Sequence, residues 1–172
     1  MDERTTGLGL IRDKPEAYRV ALEEIAAIVS GESDPIANLA NAVAILRERL
    51  GFFWVGVYRK DGDDLVLGPF QGTVACTRIA RGHGVCGAAA LRGETLVVPD
   101  VHAFAGHIAC DSRSRSEIVI PLRDSNGALR GVLDVDSERL DDFGEDDRSG
   151  LESIAASLAP IWPIAGAQPS RA

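Results

Sequence analysis

The sequence has few of the features that would tie it to a membrane or to nucleic acid. It contains no apolar run approaching the ~20 residues needed to span a bilayer, and residues 1–7 are charged and lack a signal core. Lysine and arginine number 18 against 26 acidic residues, and the net charge of −8 argues against nucleic acid and anionic membranes as partners. We therefore expect a cytoplasmic protein. Anionic small substrates stay compatible, because local arginines can override the global sign.

Cysteine is also scarce, with three residues at Cys76, Cys86 and Cys110. An odd number argues against a purely structural disulfide framework and fits reactive or inert thiols in a reducing compartment. The 172 residues suffice for one domain that buries about 70% of its unfolded surface without disulfide or metal support. We expect a flexible N-terminal tail over 1–13, a single domain over 14–162 and a C-terminal tail over 163–172.

The spacing of apolar residues predicts helices near both ends of the chain and strands between them. Helical periodicity covers 14–29 and 35–50, a short helix covers 85–91, and a last helix begins near Glu145. Strands are expected over 52–58, 64–70, 73–80, 95–98, 117–122 and 129–136. This order indicates an antiparallel sheet covered by helices, an α+β domain.

The polar loop expected over 99–116 carries Cys110, the best candidate for a nucleophile. Loops of this length inside compact domains are usually functional. Arg113 and Arg115 would stabilise a thiolate there, whereas Asp111 and Glu117 would oppose it. The simplest alternative is an exposed thiol without a chemical role.

Cys76 and Cys86 are candidate partners for Cys110, because a sulfenic acid condenses with a nearby thiol. A bond between Cys76 and Cys110 would contribute on the order of 4 kcal/mol in the chain-entropy model. The alternatives are a buried strand position for Cys76 and a small helix-packing residue for Cys86, whose neighbours in sequence are glycine and alanine.

A metal site is the rival use of the residues around Cys110, with His102, His107 and His83 as the other ligands. Their spacing matches no common zinc pattern and the chain has no Cys-x-x-Cys, so we expect no metal. The glycines of 82–87 formally match a dinucleotide fingerprint, but the unit is too short for a β-α-β crossover. We therefore predict no bound cofactor.

Two further groups of side chains share a strand face. Asp134 and Asp136 project together, with Glu117 on a nearby strand. If buried, the three would form an acidic pocket that binds an ammonium group or protonates a leaving oxygen; if exposed, they need no explanation. Trp54 and Tyr58 either cage a methyl or thioether group or pack as ordinary core.

These residues stand in motifs that resemble the free methionine-(R)-sulfoxide reductases, a family of single GAF domains. The matching segments are LVLGPFQG at 65–72, AC at 75–76, GVCG at 84–87, DVH at 100–102, GHIACD at 106–111, SEIVIP at 116–121 and GVLDVDS at 131–137. The resemblance extends over residues 15–160. Phe53 and Val57 depart from the family, which usually has Asn before the tryptophan and Phe before the tyrosine.

The resemblance implies a GAF fold, a six-stranded antiparallel sheet flanked by helices, and an enzyme that reduces free L-methionine-(R)-sulfoxide. It implies that Cys110 attacks the sulfoxide sulfur and is left as a sulfenic acid. Cys76 would then condense with it to a disulfide that thioredoxin reduces, with Cys86 in an auxiliary role.

The same resemblance implies the substrate contacts. Glu117, Asp134 and Asp136 would hold the amino group and the sulfoxide oxygen, the Trp54–Tyr58 pair would cage the methyl end, and backbone amides near Ser116 would bind the carboxylate. It also suggests a homodimer. The alternative from another class is a non-catalytic GAF module that binds a small molecule and signals, but a sensor has no need of three thiols.

Overall fold

The computed structural model describes residues 13–106 and 111–162. In this part of the chain the helices are α1 (Lys14–Val29), α2 (Pro35–Leu50), α3 (Gly84–Arg92) and α4 (Glu145–Ser157), with short 3-10 helices at Val101–Ala103 and Ala159–Ile161. The strands are β1 (Trp54–Asp61), β2 (Asp64–Gln71), β3 (Arg78–Ile79), β4 (Leu96–Val98), β5 (Ser116–Arg123) and β6 (Leu129–Ser137). Apart from Asp13, the predicted tails lie outside the described residues. None of the described helices is both long and apolar enough to cross a membrane.

The six strands form one antiparallel sheet in the order β3-β2-β1-β6-β5-β4. This confirms the predicted α+β architecture. The central strands set the candidate site residues side by side, because directly paired residues project to the same face. Trp54 lies opposite Asp136 across β1 and β6, Gly56 lies opposite Asp134, and Glu117 lies opposite Asp136 across β5 and β6.

The two faces of the sheet bury different residues, as the alternation along each strand predicts. One face packs against α1, α2 and α4 through an apolar core that includes Leu39, Val55, Ile118, Leu133 and Leu151. The other face packs against α3 and carries the aromatic and acidic side chains. The candidate site therefore lies between the sheet and α3.

Local sequence explains where α2 begins and ends. The Asp34 carboxylate accepts a 2.8 Å hydrogen bond from the backbone N–H of Ala37, and Pro35 occupies the first turn, where no N–H is needed. Gly51 ends the helix with a φ of 69°, a left-handed conformation that glycine adopts without a steric penalty. The next residues lead directly into β1.

The strand predicted over 73–80 is confirmed only at Arg78–Ile79, which pairs with β2, and its predicted bounds are too long. The preceding residues form an irregular connection, which we call the Cys76 segment (residues 72–77). Two of its carbonyl groups accept hydrogen bonds from side chains of β1 instead of from a neighbouring strand: Thr73 from Trp54 Nε1 and Cys76 from the Tyr58 hydroxyl. Cys76 is therefore in a loop above the sheet and not at a buried strand position.

Candidate active site

A partly enclosed cavity of about 50 Å³ lies between the sheet, α3 and two loops. It holds six of the residues predicted for the site: Trp54, Tyr58, Cys86, Glu117, Asp134 and Asp136. Further lining comes from Phe53, Thr73, Val74, Ala75, Ile79, Gly84, Val85, Asp111 and Ser114. Cys76 and Ser116 do not line the cavity, and Cys110 and His107 lie outside the described residues.

The acidic cluster (Glu117, Asp134 and Asp136) and the thiol of Cys86 line this cavity together. Cys86 lies in the first turn of α3, and its Sγ is 3.8 Å from Glu117 Oε1, a thiol-to-carboxylate hydrogen bond. Glu117 and Asp134 are each 6% exposed, so the alternative of a solvated acidic face does not hold for them. No lysine, arginine or histidine is among the described residues that line the cavity.

Burial without a basic partner favours the protonated forms of these groups. Desolvation raises the pKa of Glu117 well above its usual range, and the charges of Asp134 and Asp136 add to the rise. Desolvation also raises the pKa of Asp134 to about 6, against the lowering effect of the adjacent Cys86 and Glu117 side chains. Burial raises the pKa of Asp136, and a hydrogen bond with Ser114 reduces this rise. The cluster therefore retains protons that it can share or donate near neutral pH.

Cys86 is a poor nucleophile in this environment. Burial raises the pKa of its thiol well above the ordinary value, and the nearby carboxylates of Asp134 and Glu117 raise it further. Because the thiolate is the reactive form, a neutral buried thiol is chemically quiet. Cys86 belongs to the buried apolar cluster beside α3, as the helix-packing interpretation expects, and it also lines the cavity beside the acids. Its auxiliary role stays a prediction.

Trp54 and Tyr58 form the aromatic wall of the cavity. Their ring centroids lie 6.2 Å apart with an interplanar angle of 27°, and Trp54 also stacks on Phe70 at 5.6 Å. Trp54 Nε1 donates a 2.9 Å hydrogen bond to the Thr73 carbonyl, and the Tyr58 hydroxyl donates a 3.0 Å bond to the Cys76 carbonyl. The wall therefore offers an apolar surface to the cavity and also holds the Cys76 segment in place.

Cys76 is disulfide-bonded, whereas Cys86 is a free, buried thiol. The carbonyl of Cys76 is fixed by Tyr58, as described above, and its neighbour Ala75 lines the cavity. The Cys76 segment thus lies directly beside the predicted site. Cys110 lies outside the described part of the chain, so its role as the attacking thiol stays a prediction.

Ser116 lies on the other face of the sheet from Glu117. It is fully buried, and its hydroxyl donates a 2.7 Å hydrogen bond to the Arg139 carbonyl. Three nearby amides also have acceptors: those of Arg113 and Ser114 donate to Asp111, and that of Arg115 donates to the Ser137 carbonyl. The prediction that amides near Ser116 bind a carboxylate is not tested by these contacts. These three amides would first have to leave their present acceptors.

Ser114, Thr73 and Val74 line the cavity but were not predicted from the sequence, and Asp111 was expected only to oppose a thiolate. Ser114 is 5% exposed and lines the cavity beside Asp136, two residues before β5. A single serine in a polar loop carries no periodic signal that would have identified it. Its place after the cysteine-bearing GHIACD motif is the one feature that pointed to this region.

The family model described as GAF domain matches residues 34–160 of this chain. The free methionine-R-sulfoxide reductase of Escherichia coli (strain K12) is 45% identical over 150 residues, which cover 87% of this chain and 90% of that protein. GAF domain-containing protein A of Dictyostelium discoideum is 53% identical over 84% of this chain and 92% of its own length.

A solved structure shares both the fold and the sequence pattern. The X-ray structure of free methionine-R-sulfoxide reductase from Neisseria meningitidis, in complex with its substrate, superposes with a TM-score of 0.83 at 52% identity. The match covers 88% of this chain and 91% of that one. The predicted GAF fold is thereby confirmed, and the chain belongs to the GAF-domain family of free methionine-R-sulfoxide reductases.

Proposed function

We propose that this chain reduces free L-methionine-(R)-sulfoxide to L-methionine with its own thiols. The observation that carries the proposal is a cavity lined by both the acidic cluster and the aromatic wall, with no basic side chain among its described lining. The related enzymes from Escherichia coli and Neisseria meningitidis, both named free methionine-R-sulfoxide reductases, support the assignment.

The acidic cluster and the aromatic wall suit different groups of the substrate. The acidic cluster is suited to an ammonium group, because a cation compensates buried carboxylates that have no arginine or lysine partner. The aromatic wall is suited to the methyl and thioether groups, which make favourable contacts with rings. A peptide-bound methionine sulfoxide has no free ammonium group to offer to the acidic cluster.

The acidic cluster also supplies the proton that the reaction needs. The Cys110 thiolate forms a bond to the sulfoxide sulfur while a protonated carboxyl of the cluster donates to the sulfoxide oxygen. The hydroxyl then passes from the methionine sulfur to the Cys110 sulfur: the sulfoxide S–O bond and the new S–S bond break, and a Cys110 S–O bond forms. Methionine leaves with its sulfur lone pair restored, and Cys110 is left as a sulfenic acid. Glu117 is suited to this donation because its pKa is raised well above the usual range, mainly by burial.

The Cys76 thiol then attacks the Cys110 sulfenic acid, and the oxygen leaves as water. The sum is one sulfoxide and two thiols converted to one thioether, one disulfide and one water, a balanced two-electron change. Cys76 being disulfide-bonded while Cys86 is free supports this choice of resolving residue, with Cys86 auxiliary. Thioredoxin would return the disulfide to two thiols, as expected for a cytoplasmic enzyme.

A coupled assay with thioredoxin, thioredoxin reductase and NADPH tests the proposal. We expect NADPH consumption with free methionine-R-sulfoxide, and none with the S epimer or with the N-acetylated R sulfoxide. Cys110→Ser should abolish turnover, whereas Cys76→Ser should release one methionine per site and then stop.

Turnover retained by Cys110→Ser would overturn the assignment. Multiple turnovers by Cys76→Ser would transfer the resolving role to Cys86. Tight binding of a small molecule with no reduction would favour the alternative, a GAF sensor module. The homodimer suggested by the family resemblance is tested separately, by light scattering on the purified chain.

A further inference from the structure

The Cys86 end of the cavity presents three potential metal ligands from three rigid elements. In the part of the chain that the structure describes, three ligand atoms lie within 4.8 Å of one another, one each from Cys86, Glu117 and Asp134. Cys86 comes from α3, and the two acids come from the adjacent central strands β5 and β6. All three residues are 6% exposed or less, so helix and sheet hold the ligand atoms in place.

A second observation separates this group from an ordinary acidic cluster. Asp134 Oδ1 is buried, lacks a hydrogen-bond partner, and belongs to a residue that lines the cavity. Buried carboxylate oxygens are nearly always paired, because an unpaired one loses its hydration without compensation. No lysine, arginine or histidine from the described lining reaches it. A cation bound among these residues would supply the partner that this oxygen lacks.

We propose that Cys86, Glu117 and Asp134 bind a thiophilic divalent cation of the zinc class. Zinc takes one sulfur and two oxygens at ligand distances of about 2.0–2.3 Å, which places tetrahedral ligands about 3.3–3.8 Å apart. The 3.8 Å between Cys86 Sγ and Glu117 Oε1 lies at the upper end of that interval. Magnesium and calcium suit the site poorly, because both prefer six or more oxygen ligands and avoid sulfur.

The fourth position of the metal would face the cavity, where water or Asp136 can occupy it. This set differs from the histidine-based site considered from the sequence, and it uses the one cysteine that the proposed chemistry needs least. If the proposed function holds, the metal would occupy the place of the substrate ammonium group and act as an inhibitor. The binding itself does not depend on that function.

Titration with Cd²⁺ and with Zn²⁺ alone, without substrate, tests the site on its own. The Cys76→Ser/Cys110→Ser chain leaves Cys86 as the one thiol, so a cadmium–thiolate charge-transfer band at one equivalent of Cd²⁺ would report binding there. Adding Cys86→Ser should remove the band. Asp134→Asn should weaken Zn²⁺ binding about tenfold or more in calorimetry. Asp63→Asn, the same change at a side chain that is 78% exposed, should leave it unaltered.

Absence of the band in the single-thiol chain, or zinc affinity equal in the Asp134→Asn and parent proteins, would overturn the proposal. If the single-thiol chain fails to fold, as judged by circular dichroism, the oxidised parent chain with one titratable thiol gives the same absorbance readout. Because no sulfoxide is present, a chain that binds cadmium through Cys86 but reduces nothing would uphold this site while overturning the proposed function.

Discussion

The hydroxyl of Thr73 donates a 2.8 Å hydrogen bond to Oδ2 of Asp111. This bond links the Cys76 segment to the residue that follows Cys110 in the chain. Asp111 is in turn held by Arg113 at 2.9 Å, and the Arg113 guanidinium lies 4.8 Å from the centre of the Phe53 ring. The side-chain bond from Arg113 lowers the pKa of Asp111 most, and the backbone bond from Arg113 and the bond from Thr73 add to it. The link therefore remains charge-assisted through the physiological pH range.

Thr73→Val should slow the second chemical step and leave the first unchanged. Valine keeps the shape of threonine but cannot donate the bond, so the Cys76 segment loses its side-chain link to Asp111. We expect methionine release in a single turnover at the parent rate. Disulfide formation should then be about fivefold slower, a factor typical of one lost hydrogen bond. Rapid quenching, with methionine and free thiols measured in the same samples, separates the two steps.

Thr73→Ser is the matched control, because it restores the hydroxyl and removes only a methyl group. It should recover most of the disulfide-forming rate. Equal slowing of both steps in Thr73→Val, or failure of serine to rescue, would show that residue 73 merely shapes the loop.

Asp134→Asn should stabilise the protein above pH 6 and have less effect near pH 4. The folded-state pKa of Asp134 is about 6, because burial opposes ionisation, against 3.8 for the unfolded reference. Between these two values the native state binds more protons than the unfolded state, so the group's contribution to stability falls as pH rises. The difference corresponds to a loss on the order of 2–3 kcal/mol by neutral pH. An asparagine carries no such penalty.

Urea unfolding of the parent and Asp134→Asn chains from pH 4 to pH 8 measures this difference directly. Asp63→Asn, at an exposed side chain, serves as the control and should show no pH-dependent gain. A stability difference that stays constant across the range would mean that Asp134 is not held in its protonated form by burial.

The strands around the site could be predicted because alternation and turns are local properties. Trp54 and Tyr58 occupy one face of β1 while Val55 and Val57 occupy the other, as their spacing requires. Asp134 and Asp136 share the face that the sequence predicts. The sequence of β6 alone does not predict whether that face is buried. Burial depends on α3, which packs over it from a distant part of the chain.

The Cys76 segment shows where local reasoning fails. Residues 73–80 have strand-like composition, but the segment's hydrogen bonds are decided by side chains of β1. A tryptophan N–H and a tyrosine hydroxyl donate hydrogen bonds to carbonyl groups that would otherwise pair with a neighbouring strand. Strand propensity scales do not include donors from side chains distant in sequence. The Thr73–Asp111 link is equally invisible, because its two residues are 38 positions apart.

Tyr58→Phe should loosen the Cys76 segment while leaving the aromatic wall intact. Phenylalanine retains the ring that stacks with Trp54, but the Cys76 carbonyl loses the donor now 3.0 Å away. We expect a loss of stability of about 1 kcal/mol and slower disulfide formation, with the KM for the sulfoxide little changed. Steady-state kinetics with thermal unfolding measures both effects. A large rise in KM with unchanged disulfide formation would instead assign the hydroxyl to substrate binding.

Gly56→Ala should disrupt the aromatic wall from beneath. Gly56 lies under the Trp54 ring, and an added Cβ would come within 2.3 Å of Trp54 Cη2 and 2.6 Å of Phe70 Cβ. Because Phe70 belongs to the neighbouring strand, the indole ring has to give way, and the stacking on Tyr58 and Phe70 is lost with it. We expect the free energy of unfolding to fall by about 1–3 kcal/mol and the KM for free methionine-R-sulfoxide to rise markedly.

Gly31→Ala, where the added carbon meets nothing closer than 3.8 Å, is the matched control for the backbone effect of alanine. An unchanged KM in Gly56→Ala would mean that the substrate does not pack against the ring of Trp54.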